Sequence, residues 1–374
     1  MDLGLSEQQE LLKNAARDFL EKECPETLVR EMEEDDRGYS PDLWKKMAEQ
    51  GWQGLLIPEA YGGADFSYLD LIILIEEFGR ALVPGPFIST QVGGVLPLLE
   101  GGSDDQKKQY LPNIASGNAI WTLAYTEPSA RFDTEGVALE VKEEGGDVVL
   151  NGTKLFIRDA NVADFFTVVG RKPGTKGDDG IQLVVVDAKS TGISITQLKT
   201  IAADKQCEVK FENVKAPKAN VIANGGAVLK KVQRKATVLE CAYLVGLAQM
   251  DFDISVQYAK DRIQFGRPIG SFQAIQHKAA DMVTDVDGSR FITYRAAWSV
   301  DEDESDADLN VNMAKAWVSE ATRRVVAHGQ QIHGGIGFTK DYKVQLYFRR
   351  QKAAELAWGD SDYHRELVAG ALAI

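Results

Sequence analysis

Cysteine and histidine are scarce in this sequence of 374 residues, and neither is spaced to bind a metal. The three cysteines, Cys24, Cys207 and Cys241, are scattered and form no CxxC pair, which argues against a disulfide framework and against a zinc site. The four histidines form no HxxxH or HExxH pair. We therefore expect reduced thiols and no bound metal.

Long apolar runs and an excess of positive charge are also absent. No run approaches the roughly 18 apolar residues that span a bilayer, and the N-terminal segment MDLGLSEQQELLKNAARDF lacks the basic and apolar parts of a secretion signal. The net charge is -14, whereas a nucleic-acid partner requires a basic face. We expect a soluble, cytoplasmic protein with no membrane or nucleic-acid partner.

The sequence does contain three segments of different periodicity. Apolar residues recur at every third or fourth position in residues 1–120, which predicts an N-terminal helical domain. Residues 121–225 hold short β-rich runs between Gly, Lys and Asp turns, which predict a compact antiparallel barrel or sandwich. Residues 226–374 return to helical spacing and predict a four-helix bundle. The predicted fold class is therefore α+β, with a central antiparallel β domain between two helical domains.

Local signals place some of the helix boundaries. Ser6 and Ser40 precede helical patterns as N-caps, and Pro41 falls at a first helical position. The acidic run EMEEDD at residues 31–36 is expected to be a solvated stretch. A second acidic run, DEDESDAD at residues 301–308, is expected to link two helices of the bundle.

Several short motifs occur in a fixed order along the chain. They are LSEQQELL, WKKMAEQGWQGLLIPEAYGG, EEFGRAL, DDQKKQYLP, NGTKLFI, RIQFGRPIGSFQAIQHKAADM and QIHGGIGFTKDY. Each motif alone is weak evidence, but together and with this spacing they resemble the acyl-CoA dehydrogenase family over nearly the whole chain. The resemblance implies an FAD-dependent oxidation of an acyl-CoA, in which a carboxylate removes the α proton and the flavin takes a hydride from the β carbon. It also implies that each flavin lies across a contact between two chains.

One half of such a flavin site matches the family pattern. The matching residues, which would face the FAD of a neighbouring chain, are Arg262, Phe265, Gln273, Gln331, Gly334 and Gly335. The guanidinium fork of Arg262 suits the paired oxygens of a pyrophosphate, and the glycines of the QxxGG turn allow the backbone to approach the cofactor closely. The alternative is that Arg262 is a surface charge and the glycines form only a turn between helices.

The half that would hold the chain's own flavin departs from the pattern. The family sequence Thr-Glu-Pro-Gly-Ala-Gly-Ser-Asp appears at residues 126–133 as TEPSARFD, so both glycines are replaced. The family sequence Trp-Ile-Thr appears as Phe156, Ile157 and Arg158, which puts an arginine where a threonine hydroxyl would face the flavin. The alternative is a shifted loop that still binds the cofactor through backbone groups.

The usual positions of the catalytic base hold no carboxylate. The resemblance puts Trp358 where the catalytic glutamate usually lies, and an indole N–H only donates. Some members carry the base ten residues before a Gly-Leu-x-Gln element, and here that residue is Ala236. Glu240, one helical turn later, and Asp360 are weak substitutes, each with the alternative of being a carboxylate in water. We therefore assign no catalytic residue to this chain.

Three functions are consistent with these observations. The first is the small, base-lacking subunit of a heterotetrameric acyl-CoA dehydrogenase, because RFDTEGVALE, LYFRR and GDSDYHR resemble small subunits of the pimeloyl-CoA dehydrogenase type. Its implied cofactor is FAD, and its implied partners are a glutamate-containing homologous subunit, an acyl-CoA substrate and an electron-transferring flavoprotein as acceptor. The second is a self-sufficient homotetramer with an unusual base, and the third is a non-catalytic structural or regulatory protein.

Overall fold

The computed structural model describes residues 4–374, so residues 1–3 of the first predicted domain lie outside the described chain. The chain forms two compact units that do not follow the order of the sequence. The helical unit comprises the N-terminal segment to Val29, Ser67–Val83 and Arg234–Ile374. The β unit comprises Arg30–Phe66 and Pro84–Gln233. The division into three domains stays a prediction.

Helices form most of the chain outside residues 121–222. In order they are α1 (Glu7–Glu23), α2 (Glu26–Glu34), α3 (Pro41–Glu49), α4 (Tyr68–Ala81), α5 (Phe87–Thr90), α6 (Leu96–Gly101), α7 (Asp104–Ala115), α8 (Gly225–Asp261), α9 (Gln273–Asp301), α10 (Ala307–His333), α11 (Val344–Leu356) and α12 (Ser361–Leu372). Within residues 4–374, none of them is both long and apolar enough to cross a bilayer. In the helical unit α10 packs against α9, α11 and α12, as the helices of a bundle do.

The predicted helix starts are confirmed. The Ser6 hydroxyl accepts a hydrogen bond from the backbone N–H of Gln9 at 3.2 Å, and the Ser40 hydroxyl accepts one from Leu43 at 3.2 Å, with Pro41 at the first helical position. These caps satisfy donors that a helix start leaves without partners. They were predictable because they depend on neighbours in the sequence.

Both acidic runs lie at helix ends. The run at residues 301–308 spans the end of α9 and the start of α10, which confirms the predicted link. The run at residues 31–36 is largely exposed or partly exposed to solvent, as predicted, and its first four residues form the end of α2. Met32 within this run is buried, as is Val29 one turn earlier, so one side of α2 packs on the protein while Glu31 and Glu34 are exposed.

The β unit contains one eight-stranded sheet. Its strands are β1 (Trp121–Ala124), β2 (Glu140–Glu144), β3 (Asp147–Arg158), β4 (Phe165–Arg171), β5 (Ile181–Asp187), β6 (Ile193–Leu198), β7 (Gln206–Pro217) and β8 (Val221–Ile222). The strand order is β6-β7-β3-β2-β4-β5-β8, with β1 paired to β4. β4 is parallel to both β1 and β2, so the sheet is mixed, and the predicted antiparallel pairing does not hold for these two pairs. Parallel neighbours are joined by long crossovers, which local alternation does not reveal.

A buried ion pair anchors the chain after β1 to strand β3. The ammonium group of Lys154 lies 2.7 Å from Glu127 and donates to the carbonyl oxygen of Tyr125 at 3.0 Å. The Glu127 carboxylate also accepts the backbone N–H groups of Ala138 and Leu139 at 2.9 and 3.0 Å. Burial lowers the pKa of Lys154 to about 8, against the opposing effect of Glu127. Glu127 therefore ties three backbone segments together.

We predict that Glu127→Ala lowers the free energy of unfolding by about 3–5 kcal/mol, because it leaves the buried Lys154 without its counter-charge. Urea unfolding of the purified chain measures the change. Glu143→Ala is the matched control, since its pair with Lys218 at 2.6 Å is exposed to solvent and should contribute far less. Equal losses in the two variants would show that Glu127 is not an anchor.

Candidate active site

Residues 126–133, which we call the TEP loop, are bonded to themselves and to the turn that follows. Arg131 donates from Nε to Asp133 at 2.9 Å and from Nη2 to Glu135 at 3.1 Å. The hydrogen bond from Arg131 lowers the pKa of Asp133 below its usual range. The Ser129 hydroxyl donates to the carbonyl oxygen of Gly136 at 3.2 Å. The polar groups that replaced the expected glycines therefore hold one another in a folded loop.

The end of β3 carries an exposed ring at an unusual backbone angle. Phe156 has φ of 58°, lies at an irregularity in the pairing of β3 with β7, and is 52% exposed. A bulky residue at positive φ is an outlier that the surrounding structure must enforce. Such bulges re-aim side chains at functional sites.

Arg158, at the last position of β3, precedes a buried carboxyl group. Asp159 accepts a short hydrogen bond from the Ser89 hydroxyl, and its backbone N–H donates to the carbonyl oxygen of Lys205 at 2.8 Å. Burial raises the pKa of Asp159 to about 6, although Ser89 and Arg158 oppose the shift. The buried contacts of Asp159 thus fix the backbone next to Arg158. The Arg158 side chain is always positively charged.

In the helical unit, residues 355–360 comprise the last two residues of α11 and the connection to α12, and we call them the base segment. The fully buried Lys315 of α10 donates to the carbonyl oxygen of Glu355 at 2.6 Å. The ring of His364 lies between two oxygens, with Nε2 at 3.0 Å from the carbonyl oxygen of Trp358 and Nδ1 at 2.8 Å from Oδ1 of Asn312. Burial lowers the pKa of His364 to about 4. The backbone of the base segment is therefore held by side chains of α10 and α12.

This arrangement determines what the base segment offers chemically. Trp358 has φ of 62°, so its backbone adopts a conformation rare for a large side chain. The Asp360 carboxylate accepts the backbone N–H of Tyr363 at 3.0 Å and caps α12. Asp360 therefore has a structural role, and Trp358 has no group that accepts a proton.

The second base position lies within α8. Ala236 is fully buried there, and Glu240 is only 1% exposed. The alternative that Glu240 is a helix-face carboxylate in water was wrong, since sequence spacing does not show which side of a central helix meets solvent. A buried carboxylate is a better candidate for a base than a solvated one, so Glu240 stays open as a substitute.

Lys315 was missed by the sequence reasoning, although a signal for it exists. It lies on the same helical stripe as Val311, Ala314 and Val318, which are all buried. A lysine inside an apolar stripe is rarely buried unless it has partners. The position of Lys315 in the pattern would have marked it as a buried donor.

The six residues matched to a neighbour's flavin, which we call the Arg262 face, lie at the ends of α8 and α10. After α8 the chain forms a hairpin of β9 (Ile263–Gln264) and β10 (Arg267–Pro268), with Phe265 at its turn. Phe265 has φ of 55° and is 92% exposed. The guanidinium of Arg262 is exposed and makes no ion pair or hydrogen bond within residues 4–374. Gln273 is exposed at the first position of α9.

The second part of the Arg262 face is the turn after α10. Gln331 is exposed, and Gly334 has φ of 61°. A Cβ added to Gly334 or to Gly335 would meet no atom within 4 Å, so both backbones border open space. The ring of His333 lies 4.4 Å from that of Tyr258, four residues before Arg262, so the structure brings the two parts of the face together.

Comparison with known proteins identifies the class. Three family models match in order: the N-terminal domain of acyl-CoA dehydrogenases at residues 6–118, the middle domain at 122–214 and the C-terminal domain at 229–373. The chain belongs to the acyl-CoA dehydrogenase family, whose members are FAD-dependent oxidoreductases acting on CH–CH groups. The predicted fold class and cofactor are thereby confirmed.

Individual relatives are similar over nearly their whole length. The chain is 34% identical to 3-(aryl)acrylate reductase of Clostridium sporogenes, over 98% of this chain and 99% of the relative. It is 33% identical to the CarC subunit of the caffeyl-CoA reductase–Etf complex of Acetobacterium woodii, over 98% of each. A solved structure, the ChsE4–ChsE5 complex of Mycobacterium tuberculosis, matches with a TM-score of 0.92 at 26% identity, covering 100% of this chain and 99% of that one.

The Arg262 face fits an FAD group in its donor chemistry. Arg262 presents a free cationic fork, and Gly334 and Gly335 leave the space beside them open. The TEP loop and Arg158 fit it less well, because the loop's polar groups are bonded internally and position 158 carries a cation in place of a hydroxyl. The two halves of the family's site are therefore unequal in this chain.

Proposed function

We propose that this chain is the base-lacking subunit of a heteromeric, FAD-dependent acyl-CoA dehydrogenase. In this proposal the Arg262 face completes the flavin site of a homologous subunit that carries the catalytic glutamate. The observation that carries the proposal is Trp358, which lies in a fixed segment where the family's base is expected and cannot accept a proton. The family membership supplies the reaction class, and the finer assignment rests on this residue.

The exposed surface of the isolated chain supports a partner at the Arg262 face. Phe265 and Phe338 are 92% and 80% exposed, and Ile263 and Ile336 lie beside them in sequence and are also exposed. Apolar side chains of this size at hairpin and turn tips mark contact surfaces. A second chain seated there would cover them and place a flavin against Arg262.

In this proposal the residues of the two subunits divide the work. Arg262 binds the pyrophosphate through paired N–H donors, and Gln331 with the glycine turn lines the path of the cofactor. The bound flavin supplies the hydride acceptor. The partner's glutamate takes the α proton of the thioester, and the proposed physiological acceptor is an electron-transferring flavoprotein, such as the one named with CarC.

A homomeric enzyme is the second candidate, and Glu240 favours it. This carboxylate is buried one helical turn after Ala236, where some family members are expected to carry the base. A carboxylate in a dry environment is suited to proton abstraction. The two candidates differ in whether the isolated chain binds flavin and turns over substrate.

The isolated chain should hold far less than one FAD per chain and show negligible acyl-CoA oxidation. The reason is that each position matched to the family's own-flavin half is altered: the TEP loop is bonded internally, residue 158 is an arginine and residue 358 is a tryptophan. Flavin released by denaturation, divided by protein concentration, measures the occupancy. Full occupancy with turnover would replace the subunit proposal with the homomeric one.

In the assembled enzyme, Arg262→Ala should weaken FAD retention by roughly 10- to 150-fold, because charge-assisted hydrogen bonds contribute about 1.5–3 kcal/mol. Equilibrium dialysis of the flavin measures the loss. Arg37→Ala is the control, since Arg37 pairs only locally with Asp35 at 2.9 Å and should leave flavin retention unchanged. Equal retention in both variants would mean that the Arg262 face does not meet a flavin.

Trp358→Glu tests whether only the base is missing. A positioned base contributes roughly 10²- to 10⁴-fold to the rate, yet we expect no gain in the isolated chain because Arg158 and the TEP loop are unchanged. In the assembled enzyme, turnover should also stay near its original value, since the working base is on the partner. Trp358→Phe is the control without a carboxylate, and a large gain seen only in the glutamate variant would contradict the proposal.

A further inference from the structure

A buried carboxyl group lies directly behind the Arg262 face. Asp251 of α8 is fully buried and packs against Gly329 of α10, four residues before that helix ends. A Cβ added to Gly329 would lie 1.9 Å from Oδ1 of Asp251 and 3.0 Å from the hydroxyl oxygen of Ser255. Only glycine permits this approach. Burial raises the pKa of Asp251 well above its usual range.

The carbonyl group of the same glycine holds a buried histidine. Nδ1 of His333 lies 2.7 Å from the carbonyl oxygen of Gly329, and because a carbonyl only accepts, Nδ1 carries the proton. The ring of His333 packs between Tyr258 and Tyr342, at 4.4 and 5.0 Å between ring centres. His333 is therefore fixed both by a hydrogen bond and by aromatic contacts.

These contacts connect the two parts of the Arg262 face, the hairpin after α8 and the glycine turn after α10. The carbonyl oxygen of Tyr258 accepts the backbone N–H of Arg262 at 2.8 Å, so the tyrosine that stacks on His333 also bonds the residue that faces the pyrophosphate. His333 is followed directly by Gly334, the first glycine of the turn. A shift of α10 at Gly329 would therefore move the glycine turn relative to Arg262.

We infer that Asp251 and His333 are positioning residues, which set the glycine turn after α10 at a fixed distance from Arg262 and so make one flavin-binding face from two segments. Neither side chain is exposed at the face itself. The inference rests on the proposed function, since it assumes that the Arg262 face meets a flavin. Beyond the proposed function, it states that the geometry of the Arg262 face depends on the buried contact between Asp251 and Gly329.

Gly329→Ala tests the contact in the assembled enzyme. The new Cβ would displace α10 from Asp251, and we expect FAD to bind about tenfold more weakly, which corresponds to about 1.4 kcal/mol. The double variant Asp251→Ala with Gly329→Ala removes the obstacle and should restore retention to within about threefold of the original. Gly288→Ala is the matched control, because that helical glycine has its nearest neighbour at 3.6 Å, the Nε1 of Trp317.

A second variant keeps the test decisive if Gly329→Ala fails to fold. His333→Phe retains the aromatic contacts but removes the hydrogen bond to Gly329, and it should weaken FAD retention by about three- to tenfold. The thermal midpoint of the isolated chain separates positioning from stability, since a merely structural role would lower the midpoint and leave flavin affinity in the folded enzyme unchanged.

The outcomes separate this inference from the function on which it rests. If Arg262→Ala weakens flavin binding while folded Gly329→Ala and His333→Phe do not, Asp251 and His333 are not positioning residues and the proposed function stands. If Asp251→Ala does not rescue Gly329→Ala, the assigned contact is wrong. If Arg262→Ala itself has no effect, the proposed function fails first.

Discussion

The hydrogen bond from buried Lys315 to the carbonyl oxygen of Glu355 is the contact on which the candidate site depends most. Carbonyl groups at the end of a helix lack partners within the helix, and a cation there satisfies them and opposes the helix dipole. Lys315 therefore fixes where α11 stops, and His364 fixes the carbonyl of Trp358 three residues later. Both side chains contact main-chain oxygens of the base segment and not the side chain at position 358.

Because these contacts are made to the main chain, the base segment can keep its backbone conformation after the catalytic side chain is lost. A positive φ at Trp358, Phe156 and Phe265 is unfavourable for each large side chain, and it persists where packing enforces it. All three residues lie in segments that resemble the family's site. At position 358 the carbonyl oxygen lies 3.0 Å from Nε2 of His364, and this main-chain contact is available to a glutamate as well as to a tryptophan. The proton chemistry is compatible with only one of them.

The sequence predicts those parts of the structure that depend on neighbours along the chain. The caps at Ser6 and Ser40 and the link before α10 were correct because capping and turn signals are local. The parallel pairing of β1 with β4 was missed, since the two strands are joined through β2 and β3 and alternation carries no information on partners. Helix α12 was also not predicted.

In the candidate site, too, the features that depend on sequence spacing were predicted and those that depend on burial were not. Motif spacing was enough to select the six residues of the Arg262 face, and the structure brings the hairpin and the glycine turn together through Tyr258 and His333. The burial of polar side chains was not predictable. A long helix packed on several sides has apolar residues all round, so the sequence does not show which of its polar residues point inward. Glu240 and Asp251 were therefore beyond the reach of the pattern, whereas the apolar stripe of α10 does carry a signal for the buried Lys315.

Cofactor binding and proton abstraction place different requirements on the two halves of a flavin site shared between chains. Binding a pyrophosphate requires an exposed fork and an open backbone, which the Arg262 face provides without any contribution from the chain's own base segment. Removing a proton requires a carboxylate within hydrogen-bond reach of the substrate, and only one chain of a shared site has to supply it. In the proposed subunit the first function would not require the second, which agrees with a tryptophan at position 358 and an arginine at position 158. A chain that had to perform both functions alone would need a carboxylate elsewhere in the same half-site, and Glu240 is the buried residue that would have to supply it.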